Sequence, residues 1–208
     1  MTSALSTLDE LATTVDLVAL HGVAVRTSID VVSRVDATTD LGRLTPCPAW
    51  TLYGLLAHMI TQHHGFTASA RGATSLSDWL TVRLEPDPVG QYRTAAESLL
   101  AEFARDDVLG RAFVLPELST TQQFTGAQAV SFHLIDYVVH AWDVARALGT
   151  TVTFDPDVLD AALVVARSVP QGPARTRPGA AFGPAIAWPA GGLDEILAML
   201  GRAPNWPQ

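Results

Sequence analysis

Ser131-Phe132-His133-Leu134-Ile135-Asp136-Tyr137-Val138-Val139-His140-Ala141-Trp142-Asp143 is the most informative run in the chain. Successive residues of an α-helix turn by about 100°, so His133, Asp136, His140 and Asp143 fall within an arc of about 80°. Leu134, Ile135, Val138, Val139 and Trp142 fill the opposite arc. The segment therefore reads as an amphipathic helix on which Asp136 and His140, four apart, stand one turn from each other. Spacing alone leaves two readings open. The polar arc is a solvated face, or it is half of a metal site, since imidazole nitrogen and carboxylate oxygen both suit a divalent first-row ion. The arc holds no Glu, Gln or Arg, the usual residues of a wetted helix face. A second helix has to supply at least one more ligand. His58, alone in the apolar run Leu55-Leu56-Ala57-His58-Met59-Ile60, is the candidate, with a satisfied core histidine as the plain alternative.

Other helices flank this segment. Leu8, Leu11, Val15, Val18, Val25, Ile29 and Val32 recur at helical spacing and predict one long first helix, capped at Ser6 or Thr7 and breakable near Gly22. The two prolines of Thr45-Pro46-Cys47-Pro48 exclude a helix there. A second helix is expected over 49–70 and a third over 88–105. The adjacent His63 and His64 point about 100° apart and read as a partly exposed helix end, not as two ligands of one ion. Residues 111–123, with Pro116, read as a loop or short extended excursion. Thr125 is placed as the N-cap of the fourth helix, 126–148, which Gly149 closes. Shorter helices are expected at 156–168 and 193–200, separated by an irregular stretch rich in Pro and Gly. Trp50, Tyr53, Tyr137 and Trp142 are expected to pack the bundle, with stacking on a substrate as the alternative.

Four long amphipathic segments joined by long connections predict an all-α four-helix bundle with room for a crossover. Residues 1–168 form that bundle in this reading, and 169–208 form an irregular extension with one short helix, packed on it.

Composition narrows the function. The chain has 208 residues and a formal net charge of −8. All 13 basic residues are Arg, which rules out Schiff-base chemistry by a lysine. So acidic a balance argues against nucleic acid as a partner. Cys47 is the single cysteine, so no internal disulfide forms, and it reads as a small buried hydrophobe. No basic leader and no apolar run of about 18 residues is present, which predicts a cytoplasmic protein without a membrane partner.

Three stretches carry a family resemblance. Thr45-Pro46-Cys47-Pro48-Ala49-Trp50-Thr51 with Leu55-Leu56-Ala57-His58, the run from His133 to Gly149, and Gly201-Arg202-Ala203-Pro204-Asn205-Trp206 resemble the DinB-like metal-binding four-helix bundles of actinobacteria. That family is related to the N-terminal domain of mycothiol-dependent maleylpyruvate isomerase. The resemblance implies a bundle with one crossover and a divalent ion, zinc or nickel, held by His58, Asp136 and His140. It leaves His133 or Asp143 as a fourth ligand or as a group orienting a ligand imidazole. It also implies a low-molecular-weight thiol such as mycothiol as cosubstrate, a small electrophilic molecule as substrate, and a homodimer as one assembly open to such bundles. The isomerase proper carries a further C-terminal domain, which residues 169–208 are too few to form. The expected activity is therefore a thiol-dependent transferase or isomerase of unidentified substrate. The alternatives are a non-catalytic ligand-binding bundle and a hydrolase working through metal-bound water.

Overall fold

The computed structural model describes residues 2–177 and 180–207. Its helices are α1 (Thr2–Thr14), α2 (Leu17–Val32), α3 (Leu52–Ala70), α4 (Pro88–Phe103), α5 (Gly126–Ala147), α6 (Pro156–Ser168) and α7 (Gly192–Met199). The strands β1 (Ala112–Val114) and β2 (Gln123–Thr125) pair antiparallel, with Phe113 opposite Phe124. Among the described residues no helix is long and apolar enough to cross a membrane.

The expected first helix is two helices. The break falls at Asp16, not at Gly22, and Ser6 and Thr7 lie inside α1 instead of capping it. Asp16 accepts a hydrogen bond from the Ala19 N–H at 3.0 Å and restarts the helix as its N-cap. Gly22 stays helical, because a lone glycine costs only about 1 kcal/mol in a helix that packing supports. The second helix begins at Leu52, capped by Thr51, three residues later than the sequence suggested. Thr45 explains the delay. Its hydroxyl accepts from the Cys47 N–H at 3.2 Å and lies within 3.0 Å of the Cys47 and Trp50 carbonyls, which holds the proline turn in a tight non-helical knot.

Helices α2, α3, α4 and α5 close a ring of contacts in which α2 touches α4 and α5, and α3 touches α4 and α5. Cross-contacts give the directions. His21 meets His133 and Arg34 meets Thr150, so α2 and α5 run parallel. His58 meets His140 and Phe66 meets His133, so α3 runs antiparallel to α5. His63 meets Tyr92 and Arg71 meets Glu102, so α3 and α4 run parallel. Two parallel neighbours in sequence need a return path. The segment between α3 and α4 supplies it, with the Val82 N–H on Thr61 Oγ1 and the Leu84 N–H on the Tyr53 hydroxyl, back along the length of α3. Trp79 on this return path seats against Gly65, where a Cβ would come within 2.3 Å of the indole.

The architecture is thus an all-α bundle with a crossover and a C-terminal extension. Helix α5 lies at its centre. On one side it meets α2 and α3, on the other α1 and α6. It is buried on almost every face, so the polar arc predicted on it is turned largely inward: His133 and Asp143 are fully buried, His140 is nearly so, and only Asp136 stays partly exposed. Thr125 and Gln128 form a capping box at its start. Tyr137 and Trp142 pack the interior as expected, whereas Tyr53 is 40% exposed and Trp50 half-buried. His63 is also corrected. It is fully buried against Tyr137 and Tyr92, and only His64 faces solvent.

Candidate metal centre

Antiparallel packing of α3 on α5 brings together three side chains that are far apart in sequence. His58 comes from α3, and Asp136 and His140 come from α5 one turn apart. One donor atom from each lies within 4.8 Å of the others. His140 Nε2 stands 3.3 Å from Asp136 Oδ1, and His58 Nε2 stands 3.9 Å from Asp136 Oδ2. A tetrahedral ion bound at about 2.0–2.1 Å separates its ligand atoms by roughly 3.4 Å. The spacing and the borderline character of two nitrogens and one oxygen therefore fit a divalent first-row cation.

The surroundings fix which atoms are offered. His140 Nδ1 lies 2.9 Å from Asp143 Oδ2, so this nitrogen carries a proton and Nε2 points at Asp136. Such a carboxylate behind an imidazole is the usual support of a ligating histidine. Asp143, fully buried, is met in turn by Arg202, whose Nε lies 3.2 Å from Oδ1 and whose Nη2 lies 3.2 Å from Oδ2. Trp50 lies flat on His58, with centroids 4.3 Å apart and planes inclined by 22°. The proline knot that delays α3 is what sets the indole there. Side-chain exposures of 23% for His58 and 21% for Asp136 leave one side of the group open to solvent.

The charges of the site follow from these contacts. Burial pushes the His58 imidazole down to about 4, with Asp136 opposing and His140 adding to the fall. Burial also disfavours charge on His140, but Asp136 and Asp143 outweigh it and raise the group to about 9. Burial would raise Asp136, yet His140, His58 and Arg202 together hold it below the usual carboxylate range. Cys47 is buried, and that burial raises its thiol despite the opposing pull of Arg202, in keeping with a packing role.

His133 is not brought to this group. Its Nδ1 lies 2.8 Å from His21 Nε2, and its ring stacks on Tyr137 at 4.0 Å between centroids. The neighbours of α5 change along its length, and at His133 the inward arc faces α2. His63 joins this second cluster at 5.2 Å from His133. Arg202 and Trp50 were not foreseen in these roles. The signal for Arg202 was the need of a buried Asp143 for a countercharge.

Comparison with known proteins bears on the whole bundle. A family model described as the mycothiol maleylpyruvate isomerase N-terminal domain matches residues 22–145. Two curated proteins of Mycobacterium tuberculosis, from strains CDC 1551 / Oshkosh and ATCC 25618 / H37Rv, are each 28% identical over 173 residues. The matches cover 78% of this chain and 85% of each relative, and both relatives are described only as uncharacterized. No solved structure matches the chain significantly.

Proposed function

Since the chain belongs to the family of the mycothiol maleylpyruvate isomerase N-terminal domain, we propose that it holds a divalent cation and works with a low-molecular-weight thiol of the mycothiol type as a transferase or isomerase on a small electrophile. The observation that carries this reading is the convergence of His58, Asp136 and His140 within 4.8 Å at the open side of a buried helix pair. Three protein ligands leave coordination positions free, as catalysis needs and a closed structural site does not provide. Zinc or nickel suits two imidazoles and one carboxylate.

When bound, such an ion favours the deprotonated form of a thiol at neutral pH, so that the sulfur becomes a competent nucleophile. The chain's own residues do the rest. Asp143 keeps one proton on His140 Nδ1, so the proton that leaves when the ring ligates is the one on Nε2. Trp50 covers one face of His58, excludes water there and limits rotation of the ring. His58 and Asp136 border the side through which thiol and substrate reach the centre.

The test begins with metal content after chelator-free purification, for the wild-type protein and for His140→Ala. About one zinc or nickel per chain is expected in the first and none in the second, with the helical circular dichroism unchanged. Turnover of an activated haloarene, with displacement of halide by sulfur, is then expected only with both metal and mycothiol present. A wild-type protein that takes up no stoichiometric cation overturns the reading.

A further inference from the structure

We infer that the C-terminal segment is a working part of the metal centre, with Arg202 as a positioning residue that sets His140 through Asp143. The inference takes its functional meaning from the metal-site reading and goes beyond it. Arg202 lies outside the residues that define the family match, 22–145, and 59 positions after its partner.

The geometry is a relay of three side chains. Asp143 Oδ2 takes the Nδ1 proton of His140 at 2.9 Å, and the Arg202 guanidinium grips both oxygens of the same carboxylate at 3.2–3.3 Å. Asp143 is fully buried and Arg202 is 4% exposed, so both groups are held away from bulk solvent. A carboxylate held on both oxygens by a planar fork cannot rotate freely. Its remaining lone pair is therefore aimed at one place, the Nδ1 of His140. Without the fork, the Asp143 carboxylate loses the partner that holds both of its oxygens and turns toward other donors or toward solvent. His140 then loses both the fixed tautomer and the fixed ring plane that present Nε2 beside Asp136.

The segment is built to deliver this fork. Gly201, at φ +80°, turns the chain directly before Arg202 and lies so close to Gly183 that a Cβ would come within 2.7 Å of its backbone. Arg202 N–H bonds to the Leu197 carbonyl at 2.8 Å, which ties the turn to the end of α7. Arg175, also buried, donates to the carbonyls of Val169, Pro170, Gly183 and Met199 and draws the loop and the helix end together. On the far side of the turn, Arg146 of α5 donates to the Trp206 carbonyl. Two further arginines thus fasten the segment on either side of the one that reaches the centre.

The test compares wild-type protein with Arg202→Gln and Arg202→Lys, labelled with 15N in the histidines. In the metal-free protein the His140 Nδ1–H resonance reads the bond to Asp143 directly. It is expected to move or broaden in Arg202→Gln and to move less in Arg202→Lys. Cobalt titration is expected to show a fall in affinity of about tenfold for Arg202→Gln and an altered visible spectrum, the usual scale for loss of an outer partner. Partial recovery in Arg202→Lys is expected, because charge returns without the fork. A folded Arg202→Gln with a wild-type His140 resonance and wild-type cobalt affinity overturns the inference. If Arg202→Gln does not fold, Arg202→Lys decides, and an unshifted His140 resonance there is the overturning result. If wild-type protein binds neither cobalt nor zinc, the metal reading fails, while the resonance still decides whether Arg202 positions His140.

Discussion

The indole of Trp50 lies on the imidazole of His58 at van der Waals contact, with ring centroids 4.3 Å apart, and it also meets His140 edge-on at 5.8 Å. A ligand histidine is thus capped by a fluorophore. Cobalt or nickel bound by His58 is expected to quench part of the protein's tryptophan emission. Trp50→Phe should abolish that part while the cation still binds. Equal quenching in Trp50→Phe would place the cation away from His58.

The three candidate ligands differ in what their loss should do. His140→Ala removes the most deeply held donor and is expected to abolish binding. Asp136→Asn keeps the shape but removes the only anionic donor of the three, and should weaken zinc by at least the 10–100-fold typical of outer-partner loss. Isothermal titration with zinc separates the two. Equal affinity in Asp136→Asn and wild type would count against the carboxylate as a ligand.

Histidines 21, 63 and 133 form a second cluster in the core, all fully buried. Both ring nitrogens of His63, Nδ1 of His21 and Nε2 of His133 have no hydrogen-bond partner among the described residues. Burial, with Arg26 adding to it, pushes His21 down to about 3; burial first, then the neighbouring histidines, holds His63 and His133 well below the ordinary value. Unfolded histidines take up protons near pH 6.5, so below that value the unfolded chain binds protons that the folded one refuses. The contribution of these three is therefore complete above about pH 6.5 and falls as the pH drops, whereas His140, raised to about 9, contributes stability that is full below pH 6.5 and is lost as the pH rises toward 9. Well below pH 6.5 the slope approaches about 1.4 kcal/mol per pH unit for each histidine, or about 4 kcal/mol per pH unit for the three. Urea denaturation at pH 7.5, 6.5 and 5.5 measures it. His58, held down to about 4, adds to the same slope, so His63→Phe, which keeps a ring against Tyr137, should reduce it by about a quarter. An unchanged slope would show that His63 is protonated in the folded state.

Gly65→Ala places a methyl group where the Trp79 indole now sits, 2.3 Å from the nearest ring atom. Trp79 is 4% exposed and anchors the crossover on α3, so the clash cannot relax without moving the return path. A loss of about 1–3 kcal/mol is expected, the usual scale for overpacking. Thermal unfolding reads it, and an unshifted Tm would mean that the crossover is free to lift.

Periodicity made the long helices legible. The ends of α6 and the Thr125 cap of α5 follow from residues adjacent in sequence. The division of the first helix did not, because the apolar spacing runs through Val15 and Val18 unbroken while the break depends on the Asp16 side chain turning back on its own backbone. For the candidate centre, the one-turn spacing of Asp136 and His140 pointed to α5, and the isolation of His58 pointed to α3. That same spacing put His133 on the same stripe. What separates it from the others is which helix lies opposite at each level of the bundle, a property of tertiary packing. His63 was misjudged for the same reason, since Tyr92, which covers it, arrives from a helix that begins after the crossover. Arg202 could not be matched to Asp143 across 59 positions by any local pattern.

The parallel pairing of α2 with α5 has a kinetic consequence. Its contacts join residues as far apart as His21 and His133, 112 positions, and the pairing of α3 with α4 waits on an irregular return path instead of a short turn. Helical bundles with hairpin connections form mostly near-neighbour contacts and collapse within microseconds to milliseconds. A chain that must close loops this wide before its central helix is enclosed pays that entropy first. Refolding from urea is therefore expected to be slow for a helical protein of this size, with stopped-flow circular dichroism showing helix formation ahead of the rate-limiting closure.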